Sequence, residues 1–192
     1  MTNSTSAPQR PGKRDRLVAS AADLLHRQGV ERTTLAQIAE AADVPAGNVY
    51  YYFKTREDLV HAVIEAQVQE VRALLARLDA RPTPVRRLKG LAESWTRNGP
   101  IIVEHGCPLG GLSYELNKHD SELGSEAARP LRTLLEWAEA QFRELGQRNP
   151  SAVAVTFLSG IQGAALLANA FADEKLLKQE IRRIERWLDS LA

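Results

Sequence analysis

Three features of this sequence predict an all-α chain of about nine helices. Apolar residues recur at helical spacing through most of its 192 residues. Capping and breaking residues, among them Thr34, Thr55, Thr83-Pro84, Asn149-Pro150 and Asp173, stand where those stretches begin. Residues 33–53 read as the two short helices and tight turn of a helix-turn-helix. At 44% hydrophobic and 26% charged, the chain can bury its core as one compact unit or as two intimately packed ones. The expected division is an arm over 1–12, a three-helix helix-turn-helix domain over 13–56 and a larger helical body over 57–192.

Residues 1–11 are rich in Ser, Thr, Pro and Asn with almost no apolar content, so disorder is expected there. Arg10, Lys13, Arg14 and Arg16 follow, either as a solubilising tail or as an arm and helix start that touch a DNA backbone or minor groove. A helix is expected over 13–28, with Leu17, Val18, Ala21, Leu24 and Leu25 as its buried stripe and Gly29 ending it. Next, Thr34 and Gln37 have the spacing of a capping box. Leu35, Ile38, Ala39 and Ala42 form one apolar face, and Asp43-Val44-Pro45 stops the helix because the residue before a proline disfavours the helical region.

The chain restarts as a helix at Ala46, with small residues at its front and Asn48, Tyr50, Tyr51 and Tyr52 behind. Small residues let a helix end approach DNA closely, and tyrosine puts a polar tip on a rigid apolar body, suited to base edges, thymine methyls and phosphates. Successive helical positions point about 100° apart, so three tyrosines cannot share one core and at least one must be exposed. The expected contact surface for double-stranded DNA is Arg14, Thr33, Thr34, Ala46, Gly47, Asn48, Tyr50, Tyr51, Tyr52, Lys54 and Arg56. Charge agrees: residues 1–56 hold eight Lys/Arg against five Asp/Glu, while the rest of the chain is slightly acidic.

The run Gly47-Asn48-Val49-Tyr50-Tyr51-Tyr52-Phe53-Lys54-Thr55-Arg56-Glu57-Asp58-Leu59 resembles the signature of the TetR family of bacterial transcriptional regulators, Gly-x-Leu-Tyr-x-Tyr/His-Phe followed by Lys/Arg-Glu-x-Leu. Val49 replaces the usual leucine, Arg56 the usual lysine, and Asn48 stands where threonine is common. With the first helix, the likeness covers about the first third of the chain. It implies a repressor that binds a pseudo-palindromic operator as a homodimer and is released by an effector at the C-terminal domain.

Beyond the signature, Thr55 caps a long helix whose first turn carries Glu57 and Asp58, favourable near the positive end of the helix dipole. Its stripe of Leu59, Val63, Ala66, Val71, Leu74, Leu75 and Leu78 reaches Arg81-Pro82-Thr83-Pro84. The resemblance implies that tilting this helix changes the spacing of two reading heads. Thr83 and Pro84 then start a helix carrying Val85, Leu88, Leu91, Ala92 and Trp95 as far as Asn98-Gly99-Pro100, and Ile101, Ile102 and Val103 make a short apolar segment.

Pro108 suits the first position of a helix over 108–117, which makes Cys107 its N-cap, a place whose unpaired N–H groups favour a thiolate. Gly106-Cys107-Pro108-Leu109-Gly110 resembles the Gly-Cys-x-x-Gly segment of a TetR branch that includes electrophile-sensing repressors. Cys107 therefore stands either as an electrophile or redox trigger or as an inert residue where helices pack closely. A helix over 121–146, bent near Pro130, is expected next, with Leu131, Leu134, Leu135, Ala138, Phe142 and Leu145 inward. Trp95, Tyr114 and Trp137 are candidate walls of a pocket for a small-molecule effector, or ordinary core.

Two final helices begin at Asn149-Pro150 and Asp173. Gly160, Gly163 and Ala164 allow close helix approach, and Ile181, Ile184 and Leu188 continue a stripe at coiled-coil-like spacing. The residues alone allow an intramolecular pair. The resemblance implies instead a four-helix interface between two copies.

No metal or cofactor is expected, since His105 and Cys107 have no further ligands at suitable spacing and no Gly-x-Ser-x-Gly, phosphate loop or dinucleotide fingerprint occurs. A thiol-dependent enzyme built on Cys107 and a helical protein-binding adaptor are the alternatives to a regulator. One cysteine excludes an intrachain disulfide, no run reaches the roughly 18 uninterrupted apolar residues of a membrane span, and residues 1–12 lack an apolar secretory segment, so a cytoplasmic location is expected.

Overall fold

The computed structural model describes residues 11–118 and 121–191, so the expected arm, Arg10 included, lies outside the described residues apart from Pro11 and Gly12. All regular structure among them is helical: α1 (Lys13–Gln28), α2 (Leu35–Ala41), α3 (Ala46–Tyr52), α4 (Arg56–Asp79), α5 (Pro84–Arg97), α6 (Gly99–His105), α7 (Pro108–Leu116), α8 (Ser121–Ala127), α9 (Arg129–Glu144), α10 (Pro150–Ala170) and α11 (Glu174–Asp189). Two pairs of these are single helices broken at a joint, and counting each pair once gives the expected nine. At Asn98, between α5 and α6, Pro100 cannot donate to the carbonyl four residues back; at Ala128, between α8 and α9, Pro130 acts likewise. The segment around Ile101–Val103 is thus helical, part of α6.

Local side-chain hydrogen bonds start five of the helices. Thr34 and Gln37 form the capping box of α2, and Thr55 forms another with Asp58 at α4. Thr83 caps α5, Asn149 caps α10, and Asp173 accepts from the Lys175 and Leu176 N–H groups at α11. Asp43, at φ 52°, takes the left-handed conformation that turns the chain out of α2.

Two apolar cores stack along α4. The smaller gathers Leu17 and Ala21 of α1, Ile38 of α2, Val49 of α3, and Phe53 around Leu59, Val63 and Ile64, and it extends to Leu112 and Leu116 of α7 and Ala127 of α8. The larger begins at Val71 and fills the space between α5, α9, α10 and α11, with Phe142, Phe157, Ile161, Leu177 and Leu188 at its centre. The helix-turn-helix is therefore packed onto the body rather than tethered to it. Glu115 of α7 secures this contact: its carboxylate accepts from the Val30 N–H at 2.8 Å, directly beyond α1. Gly29 makes the approach possible, at φ 84°, since a Cβ there would lie 3.0 Å from a Glu115 carboxylate oxygen.

The pairing of α10 with α11 places the apolar stripe expected at an interface inside the chain's own core. Ala164, Ile181, Ile184 and Leu188 are buried inside this one chain, in the larger core, and Gly160 faces Ile184. The four buried side chains seal an intramolecular seam, while Gly160 stays half-buried. Gly163 alone of that set meets nothing within 4 Å of an ideal Cβ. The opposite face of α10 exposes Val155, Leu166 and Leu167, with Phe171 just beyond its end. At 21 residues, with a mean hydropathy of 1.6 over an 18-residue stretch, α10 is long and apolar enough to cross a bilayer, yet its inner face is part of the larger core.

Candidate nucleic-acid interface and cavity

Helix α3 divides by its own period. Val49, 1% exposed, anchors it to the smaller core, and Tyr52, one turn on, packs against the same core. Ala46, Gly47, Tyr50 and Tyr51 are left outward, with the two tyrosines 59% and 78% exposed and the Tyr51 ring edge-on to Tyr52 at 5.0 Å. Asn48 is half-buried at the border of the two faces. Large aromatic side chains left uncovered on a two-turn helix form an exposed contact surface, not a core.

Cations flank this tip. Lys54 is exposed and its Nζ donates to the Tyr50 carbonyl at 3.3 Å. Arg14 is exposed on α1 with its guanidinium 5.3 Å from the centre of the Phe53 ring. Arg16 instead pairs with Asp43 at 3.3 Å, fixing α1 to the turn between α2 and α3. Arg56 is half-buried, and its Nη2 is buried without a partner among the described residues. Of the two threonines, Thr34 is exposed, with its hydroxyl engaged in the α2 cap. Thr33 corrects the expectation: it is 3% exposed and its hydroxyl donates to the Gly29 carbonyl at 2.7 Å, so it braces the loop and cannot reach a ligand outside.

The body holds a cavity of about 700 Å³ between α4, α5, α6 and α7, within the usual range of small-molecule sites. Trp95 and Cys107 both line it, as expected. Cys107 is half-buried at the N-terminus of α7 and makes no capping hydrogen bond with its side chain. Tyr114 and Trp137 do not line it. Tyr114 is 69% exposed under the Lys118 ammonium, and Trp137 donates its Nε1–H to Asp79 at 2.8 Å, at the far end of α4.

Gln67 and His26 are among the wall residues that the sequence did not single out. Gln67 interrupts the apolar stripe of α4 between Ile64 and Val71, a signal legible in the sequence. His26 belongs to α1, and no sequence pattern relates it to residues eighty positions away. Its Nε2 lies 2.9 Å from the Gly106 carbonyl, and its ring meets that of His105 edge-on at 5.7 Å. No group of three or more metal-ligating side chains occurs among the described residues.

A short helix that offers uncovered tyrosines and cations, set on a helical body with a ligand-sized cavity, defines a DNA-binding transcriptional regulator. Residues 17–63 match the family model for bacterial regulatory proteins of the tetR family. The transcriptional regulator AcuR of Cereibacter sphaeroides is 30% identical over 188 residues, 85% of this chain and 84% of that protein. TtgR of Pseudomonas putida, an HTH-type transcriptional regulator, is 38% identical over 189 residues, 92% and 88% of the two chains. The crystal structure of a TetR transcriptional regulator from Legionella pneumophila overlays with a TM-score of 0.84, covering 93% and 98% of the two chains at 19% identity. This chain belongs to the TetR family of bacterial transcriptional regulators, and its work is DNA binding rather than catalysis.

Proposed function

We propose that this protein is a cytoplasmic homodimeric repressor that holds a pseudo-palindromic operator with two copies of α3 and releases it when a small molecule occupies the cavity. Residues 13–56 act as the reader, and residues 57–192 supply dimerisation and effector binding. The observation that carries the reading is His26: it is part of the cavity wall and also part of the reader's first helix. A molecule that displaces His26 or the α6–α7 turn bonded to it moves α1 directly, and with it the attitude of α3. Dimerisation is assigned to the outer face of α10, where Val155, Leu166, Leu167 and Phe171 leave an apolar stripe uncovered. Two half-sites then multiply what one small head can read.

Fluorescence anisotropy with the DNA upstream of the protein's own gene, at two salt concentrations, tests this reading. Binding is expected to exceed that to unrelated DNA and to weaken steeply with salt, because phosphate contacts release counterions. Failure to select any sequence from a whole-genome library would overturn it.

A second trigger is favoured by the position of Cys107, half-buried on the same cavity wall. Alkylation of its Sγ would occupy the cavity permanently and release DNA in the same way. Cys107→Ser is expected to keep operator affinity and lose the response to a thiol-reactive electrophile, read by the same titration. An unchanged response ends the thiol trigger and leaves the reversible one.

A further inference from the structure

We infer that the cavity's ligand is an uncharged, largely apolar small molecule bearing one hydrogen-bond donor and one acceptor, met by Gln67 and Trp95. The inference rests on the effector reading above and names the chemical class of that effector. Its starting point is two polar atoms. Gln67 and Trp95 are 8% and 7% exposed, both form part of the cavity wall, and Gln67 Oε1 and Trp95 Nε1 are buried without a hydrogen-bond partner among the described residues. Native interiors leave few such atoms unpaired, and an unpaired acceptor and an unpaired donor on two side chains of the same wall, each buried just behind it, point to a ligand that supplies the complement when those side chains turn toward it.

Several other polar groups of the wall are engaged within the protein. Ser94 Oγ donates to the Leu91 carbonyl at 2.6 Å, Asn98 Nδ2 donates to the Ser94 carbonyl at 3.0 Å, and His26 is bonded to Gly106. The charged residues of the lining, Glu70, Arg77 and Arg97, are all solvent-exposed, so they stand at its mouth. No buried charge waits to neutralise an ionic head, and an ion taken into the interior without a partner loses its hydration uncompensated. What remains of the wall is apolar, including Val71, Leu74, Ile102, Leu109 and Leu134. Such a wall suits a hydrocarbon body with a single neutral polar group.

A primary carboxamide is the diagnostic probe. It carries both a donor and an acceptor, and it pairs with the Gln67 amide whichever way that amide is turned. Isothermal titration of the full-length protein would compare the carboxamide, the carboxylate and the methyl derivative on benzene and naphthalene rings. On the better-fitting ring the carboxamide is expected to bind roughly tenfold tighter than both others, the scale of one to two net hydrogen bonds. Gln67→Leu and Trp95→Phe preserve shape and apolar packing, and circular dichroism would verify their fold. Each is expected to reduce the carboxamide's advantage over the methyl compound to about threefold or less. Carboxylate binding equal to or tighter than carboxamide, an advantage untouched in both variants, or no carboxamide binding at millimolar concentration would overturn the inference. Operator anisotropy separates the two claims. A carboxamide that binds and leaves DNA affinity unaltered removes the effector role while the ligand class stands; DNA release by the carboxylate instead keeps the effector role and overturns the class.

Discussion

Gly47→Glu is expected to weaken operator binding about a hundredfold while leaving the protein folded. Gly47 is exposed in the first turn of α3, and nothing lies within 4 Å of the position its Cβ would take. A side chain there meets no packing obstacle, and replacing glycine within a helix gains roughly 0.5–1 kcal/mol of helix propensity. The new carboxylate, however, stands at the end of the helix proposed to enter the major groove, beside the phosphates. A penalty of about 1.4 kcal/mol at each of two half-sites multiplies to about a hundredfold loss of affinity. Anisotropy gives the loss and a thermal melt gives the fold. Undiminished affinity in a protein that melts normally would mean that the N-terminal end of α3 does not face DNA.

Phe142→Ala is expected to cost about 3–5 kcal/mol, the usual range for removing a buried phenyl ring and leaving its space behind. Phe142 has no exposed surface. Its ring meets Phe157 edge-on at 5.8 Å and Trp187 at 5.9 Å, so it joins α9 to both α10 and α11. The expected loss is a large share of the 5–15 kcal/mol by which domains are usually stable. A shift of the urea midpoint measures it, and Phe142→Leu, which keeps most of the volume, should lose far less. A loss below about 1 kcal/mol in the alanine variant would show that the three helices close over the gap.

The contrast between these two substitutions mirrors what was legible in the chain. Helix boundaries were largely legible, since Thr34 with Gln37, Thr55 with Asp58, and Asp173 with Leu176 bond partners three residues away. For α3 the helical period showed that its three tyrosines could not share one face. Which of them turns inward was not legible: Tyr52, expected at the DNA surface with the other two, packs with Val49 against the smaller core. The resemblance of residues 47–59 to the family signature lies in this same local stretch.

Residues whose roles depend on distant partners were not legible. The stripe of Ile181, Ile184 and Leu188 was visible as apolar, but periodicity tells which face is apolar and not what covers it. The fold turns that face onto its own core and leaves the outer side of α10 uncovered. Thr33 reads as a polar residue beside a DNA-reading helix, but the fold buries it with its hydroxyl on the Gly29 carbonyl. Tyr114 and Trp137 carry the same aromatic signal as Trp95, yet Trp95 alone reaches the cavity.

The sequence by itself thus determined the all-α class, the ends of many helices and the exposure of part of the α3 tyrosine run, because each rests on hydrogen bonds and side-chain directions within a few residues. Only the tertiary structure decided that Gln67, Trp95, Cys107 and His26 share one cavity, and that Glu115 binds the reader to the body. Those residues come from different helices, and their meeting depends on how whole apolar faces pack together, which no local interaction specifies.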